Sequence, residues 1–125
     1  MFSEDDIIHT YSRAQAIEDG VLVDVTTTSQ EAGIRFPVAL TCTVWGQYVE
    51  VPEGVEGQDE AGRLWDILWI LANAIRGSKD PGDTLNFQLY VRNDNRRPEL
   101  VTLKAVCGPN DDASPCITVM LPEED

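Results

Sequence analysis

The hydrophobic pattern of this chain changes from mainly helical to extended across the turn-rich stretch Gly77 to Gly82. Before it, residues 4–18 read as a helix. Ile7, Ile8, Tyr11, Ala14 and Ile17 share one face, Glu4-Asp5-Asp6 place negative charge in the first turn, and Gly20 supplies a stop. Val21–Val25 is rich in β-branched residues and reads as a short strand. Hydroxyls from Thr26 to Ser29 can cap a helical turn through Gln30 to Ala32, which Gly33 ends. Pro37 suits a first helical position, and a helix is expected over about Val38–Tyr48, although Thr41, Thr43 and Val44 are poor helix formers.

After a loop from Val51 to Gly57, residues 58–76 carry the strongest helical pattern. Leu64, Leu68, Leu71 and Ile75 line one side, Trp65, Trp69 and Ala72 lie beside them, and Ile67 and Ile70 widen the apolar zone. Asp59, Arg63, Asp66 and Asn73 leave only a narrow polar stripe, the pattern of a central core helix. Beyond Gly82 the alternation becomes strict. Leu85, Phe87, Leu89 and Val91, then Val101, Leu103, Ala105 and Cys107, then Ile117, Val119 and Leu121 form the apolar halves of three strands. The turns at Asn93–Pro98 and Gly108–Pro115 are short enough for an antiparallel meander. Val21–Val25 is expected to join it. The fold class is therefore α+β: a three- to four-stranded antiparallel sheet with helices on one face, around the central helix at 58–76.

Length and composition support one domain over residues 1–125, since 42% hydrophobic residues suffice for one core. The opening MFSEDDIIHTYS has neither a basic n-region nor an apolar run, so no signal peptide is expected, and no stretch is apolar for long enough to span a bilayer. The cysteines, Cys42, Cys107 and Cys116, are odd in number, which points to reduced thiols in the cytoplasm. A disulfide between Cys107 and Cys116, which flank a turn, is the alternative.

Charge changes the picture more than composition does. The chain has 22 Asp+Glu against 9 Lys+Arg, a formal net charge of -13. Residues 1–60 hold 12 acids and 2 bases, while residues 61–125 hold 10 acids and 7 bases. Such a field repels nucleic acid and anionic membrane and attracts basic protein surfaces. Neither direct nucleic-acid binding nor a membrane role is expected.

Motifs for chemistry are sparse. There is no P-loop, dinucleotide fingerprint, GxSxG or HExxH, and no CxxC pair for zinc. Asn110-Asp111-Asp112 resembles a fragment of a calcium loop but lacks the alternating ligands and terminal glutamate, so a solvated Asx turn is expected. Arg92, Arg96, Arg97 and Lys104 form a small basic island around the Asn93–Pro98 turn, which reads as a hairpin tip. His9 is read as a helix-flank histidine. Asp24 either points outward from its strand or is a buried functional acid. No metal, cofactor or enzymatic activity is expected.

Four segments carry a resemblance: Tyr11–Val25, Gly57–Asp66, Val101–Pro109 and the ending Ile117–Asp125. Together they resemble a family of small acidic proteins of unknown function carried on bacterial phages, plasmids and integrative elements. The resemblance brings no catalytic residues. It implies genomic company in which small acidic proteins blunt host defence, as anti-restriction or anti-CRISPR DNA mimics do.

The leading expectation is a non-enzymatic protein that docks an acidic surface on a basic, nucleic-acid-handling host protein. The residues expected to carry it are Asp5, Asp6, Glu18, Asp19, Glu50, Glu53, Glu56, Asp59 and Glu60. The competing expectation is a structural or regulatory accessory domain that forms a homodimer through its open sheet face, with Tyr90, Val106 and Met120 as the apolar patch.

Overall fold

Two capping systems hold the first helix of the described residues at its ends. The computed structural model describes residues 11–79 and 82–124, so the part of the expected first helix before residue 11 lies outside them, and with it Asp5, Asp6 and His9. Within them, α1 spans Arg13–Glu18, so Tyr11 and Ser12 are not part of a helix as the 4–18 pattern has them: Ser12 is extended and caps the helix start at Arg13. Ser12 and Gln15 form a capping box, with Gln15 N donating to Ser12 Oγ at 3.0 Å and Ser12 N to Gln15 Oε1 at 3.1 Å. At the other end Gly20 takes φ 78°, Gly20 N donates to Ile17 O, and Val21 N donates to Ala16 O. That pair of bonds is a Schellman motif, and it explains why Gly20 ends the helix.

The remaining elements are β1 Leu22–Asp24, α2 Thr26–Glu31, β2 Val38–Thr41, α3 Cys42–Val44 running into a π-helical turn Trp45–Val49, α4 Glu60–Gly77, β3 Thr84–Val91, β4 Glu99–Pro109 and β5 Pro115–Met120. The α+β class, the central helix and the β3–β4–β5 meander agree with the sequence pattern. The sheet does not: it has five strands in the order β1-β2-β5-β4-β3 and is mixed. β2 runs parallel to β5 and antiparallel to β1.

The difference originates at Val38–Thr41, expected to be helical. Val38, Ala39 and Leu40 are all buried, because β2 is an inner strand covered on both faces. A short apolar run buried on both sides has no period to read. The second half of the expected helix does form. Thr41 Oγ1 accepts from Val44 N at 3.2 Å, capping the turn at which the chain switches from strand to helix. The expected turn at Gln30–Ala32 also begins earlier, since Thr26–Glu31 is helical throughout.

Helices do not keep to one face. The main core, with Leu40, Leu68, Leu71, Leu103 and Val119 among its fully buried members, lies between the sheet and the layer formed by α2, the π turn and α4. On the second face, Arg13 of α1 donates to Thr118 Oγ1 at 2.7 Å and to Ile117 O at 2.8 Å. Ala16, Ala39, Cys116 and Met120 are buried outside the main core. α1 therefore lies against the second face of the sheet.

Candidate functional site

The strand directions gather most of the expected acidic residues at one end of the molecule. β1 begins where β2 and β5 end, and β3 ends and β4 begins at that same end. Glu18 and Asp19 arrive there because α1 leads into the start of β1. Glu50 closes the π turn that follows β2, and Glu53, Glu56, Asp59 and Glu60 lie on the segment leading into α4. All of these residues are exposed. Glu123 and Glu124, after β5, share this end. Five strands at about 4.8 Å spacing give it a width of roughly 19 Å.

This end is not purely acidic. The 50–59 loop is tied to the β3–β4 turn: Glu56 N donates to Asn95 Oδ1 at 3.0 Å, and Asn95 Nδ2 donates to Gly54 O at 2.8 Å. Arg92 donates to the backbone carbonyl of Glu56. The basic island Arg92, Arg96 and Arg97 is thus set among the carboxylates. Two clefts flank it, of about 530 and 460 Å³, one including Asp59, Asp66 and Arg92 and the other Asp94, Arg97 and Glu99.

Arg63, which the sequence places in the polar stripe of α4, holds these parts together. It is only 6% exposed. Its guanidinium donates to Tyr48 O (3.0 Å), Gln58 Oε1 (2.9 Å), Arg92 O (2.9 Å) and Asn93 Oδ1 (2.6 Å), and more distantly to Gln47 O (3.4 Å). Every partner is a neutral oxygen. Burial lowers its pKa from the ordinary guanidinium value, with no carboxylate partner to offset the desolvation. The π turn presents the carbonyls of Gln47 and Tyr48 to this fork, and Asn93 Nδ2 takes a second bond to Gln47 O at 2.9 Å.

The other expected residues fall elsewhere. Tyr90 is 70% exposed, Val106 is half-buried, and Met120 is buried at 6%. Met120 therefore contributes no surface to the expected apolar patch. Lys104 Nζ, next to it in register, donates to Glu124 O at 2.6 Å, and Thr41 Oγ1 donates to Glu124 Oε1 at 2.9 Å, so the C-terminal turn folds back over this part of the face. The exposed neighbour of Tyr90 is Leu100, its cross-strand partner, at 54%.

Asp24 points outward and accepts from Thr26 N (3.0 Å) and Thr26 Oγ1 (2.5 Å), a local turn bond. The three cysteines are free thiols. Cys107 stands opposite Ile117 and Cys116 opposite Gly108, so the two thiols point to opposite faces of the sheet. Burial raises the Cys116 thiol above its usual pKa, which makes it a packing residue. Among the described residues no group of three or more His, Cys, Asp or Glu could hold a metal ion, and no helix is long and apolar enough to cross a membrane.

The loop that resembled a calcium fragment has a structural task. Asp111 accepts from Arg13 N at 2.8 Å through Oδ1 and from Ala14 N at 3.0 Å through Oδ2, capping α1 from across the sheet. Asp112 accepts from Ser114 Oγ and Ser114 N, and those bonds hold its carboxyl below the usual range. Asp111→Ala is expected to cost about 1–2 kcal/mol in urea denaturation, with Asp111→Asn recovering part of the loss as a neutral acceptor.

A cavity of about 390 Å³ opens at the opposite end of the sheet, with Ile34, Phe36, Ile75 and Leu85 in its walls and Arg35 and Arg76 among its lining. Arg76 is already engaged: it donates to Asn73 Oδ1 at 3.0 Å and lies 5.9 Å over the Trp69 ring.

Residues 1–125 match DUF6573, a family of unknown function. No curated protein and no solved structure matches the chain.

Proposed function

Because the chain belongs to DUF6573, a family of unknown function, we propose its role from charge and topology: a non-enzymatic binding protein that docks its acidic end on a basic host protein that handles nucleic acid. The observation that carries this reading is the gathering of Glu18, Asp19, Glu50, Glu53, Glu56, Asp59 and Glu60, all exposed, at one end of the sheet. A net charge of -13 adds long-range steering toward a cationic partner. The width of that end is near half a turn of duplex DNA, ~17 Å, which suits occupation of a groove built for phosphates. The arginines at the β3–β4 turn offer a second contact type, to carboxylates of the partner. A DNA mimic that blocks a restriction or CRISPR effector in the cytoplasm fits this chemistry, and carriage on phages, plasmids or integrative elements belongs to the same proposal.

The test is binding of the purified chain to a panel of restriction and CRISPR effector proteins, at low and high salt. A variant reversing Glu53, Glu56, Asp59 and Glu60 to Lys is expected to lose at least ~100-fold in affinity for any effector bound, mainly through slower association. Salt is expected to weaken the wild type and to matter less for the variant. Binding that survives the reversal unchanged, or a wild type that binds no effector, overturns the proposal.

A further inference from the structure

The two edges of the sheet are built differently. β1 is three residues long and ends in the exposed Asp24, a short and charged edge of the kind that resists pairing. β3 is eight residues long, TLNFQLYV, and contains no charged residue and no proline. Its register shows which backbone groups are free. Cys107 N donates to Asp83 O at 2.7 Å, and the register places those two residues opposite each other. In an antiparallel ladder hydrogen-bonded pairs alternate, so Leu85, Phe87, Leu89 and Val91 exchange bonds with β4. The N–H and C=O groups of Thr84, Asn86, Gln88 and Tyr90 then point outward. Among the described residues no hydrogen bond reaches them.

Helix α4 flanks this edge and runs antiparallel to it. Near its start Trp65 shares a cleft with Tyr90, and near its end Ala72 and Ile75 share a cavity with Thr84 and Leu85. Trp69 therefore sits at the level of the strand's middle. It stacks on Trp65 with ring centroids 5.9 Å apart, yet remains 47% exposed. The helix is polarised along its length, with Glu60 and Asp66 toward its start and Arg76 and Lys79 at and beyond its end.

We infer that two copies of this chain pair antiparallel through β3, joining their sheets into one of ten strands. A two-fold axis at Phe87 or Gln88 keeps side-chain parity, so each residue meets one on the same face. The same axis brings Trp69 of the two copies together and sets Asp66 of each toward Arg76 and Lys79 of the other. An extended peptide from another protein would use the backbone groups but leave this charge pattern and the central tryptophan unanswered. The surface touches the acidic end at the cleft shared by Trp65, Asp66 and Tyr90, but the inference does not rest on the proposed docking.

The test is sedimentation of the full chain from micromolar to millimolar concentration, with hydrogen exchange on the same samples. A dimer is expected, and its formation should change little from about 50 to about 500 mM salt, because screening relieves repulsion between two strongly negative copies while it weakens the pairs between Asp66 and Arg76 or Lys79. Docking of the acidic end is instead expected to weaken steadily with salt. The amides of Thr84, Asn86, Gln88 and Tyr90 are expected to gain protection with concentration. Asn86→Lys/Gln88→Lys places like charges across the axis and should weaken the dimer on the order of 30-fold or more while circular dichroism is unchanged. Trp69→Ser should weaken it separately, and Asp24→Lys, on the opposite edge, should not. A wild type that stays monomeric throughout overturns the inference. So does a dimer that both the lysine pair and Trp69→Ser leave intact.

Discussion

Replacing Arg63 with alanine is expected to destabilise the chain by about 3–5 kcal/mol, the range for stripping one partner from a buried, fully bonded polar network. The side chain is 6% exposed, and its guanidinium serves oxygens on four separate segments: the π turn, the start of α4, the end of β3 and the β3–β4 turn. Alanine leaves those acceptors facing a cavity. At roughly 3–4 °C per kcal/mol for a domain of this size, the melting temperature should fall by about 10–20 °C. Arg63→Met separates the two contributions, since it keeps much of the stem volume and loses only the hydrogen bonds. Arg63→Lys should rescue little, because an ammonium cannot reproduce the fork that reaches Tyr48 O on one side and Arg92 O on the other. If Arg63→Met unfolds at the wild-type urea concentration, the network contributes nothing net and the expectation is wrong. The same substitution bears on the proposed docking, since it removes the bonds of Arg63 to Gln58, Arg92 and Asn93, leaving the Glu56–Asn95 and Asn95–Gly54 bonds to hold the loop that carries the carboxylates.

Arg63 also marks the limit of what the chain states openly. Its position in a polar stripe is legible, but the stripe gives no sign that it faces inward, toward neutral oxygens from residues 47 to 93. Features set by local rules were readable: α4 by its apolar period, β3 to β5 by alternation, and the end of α1 by Gly20. Features set by pairing between distant segments were not. β2 is hidden because both its faces are buried, and its parallel partner β5 is separated from it by most of the chain. Met120 alternates correctly in β5, yet it is buried because α1 and the C-terminal turn occupy the second face.

The acidic clusters follow the same logic. Glu18-Asp19 and the 50–60 group are visible as runs, but their meeting at one end depends on β1 starting where β2 finishes and β3 ends. The basic island is visible as well, but sequence distance conceals its place beside the acidic loop, where Arg92 reaches back to the carbonyl of Glu56. The outcome is a mixed surface in which carboxylates surround three arginines. Under the proposed docking, a partner that matches only the negative charge would leave those arginines desolvated and unpaired, so that docking would favour proteins with carboxylates inside a basic field.

The second large effect is expected at Leu68. Leu68→Ala should cost about 3–5 kcal/mol, toward the upper end for such truncations, because the site cannot collapse easily. The residue is 0% exposed at the middle of α4, in a core shared with β2, β4 and β5 through Leu40, Leu103 and Val119, which are also fully buried. Those neighbours sit on inner strands fixed from both sides, so they cannot move in to fill the void. Ile75, on the same helix but 39% exposed, is the internal control, and Ile75→Ala should cost about 1 kcal/mol. Against a typical domain stability of about 5–15 kcal/mol, the Leu68 substitution removes roughly a fifth or more of what holds the chain folded. Guanidinium titration of the two variants checks the contrast. Equal midpoints would mean that α4 does not anchor the core, and the sheet would then have to hold its five-stranded order without it.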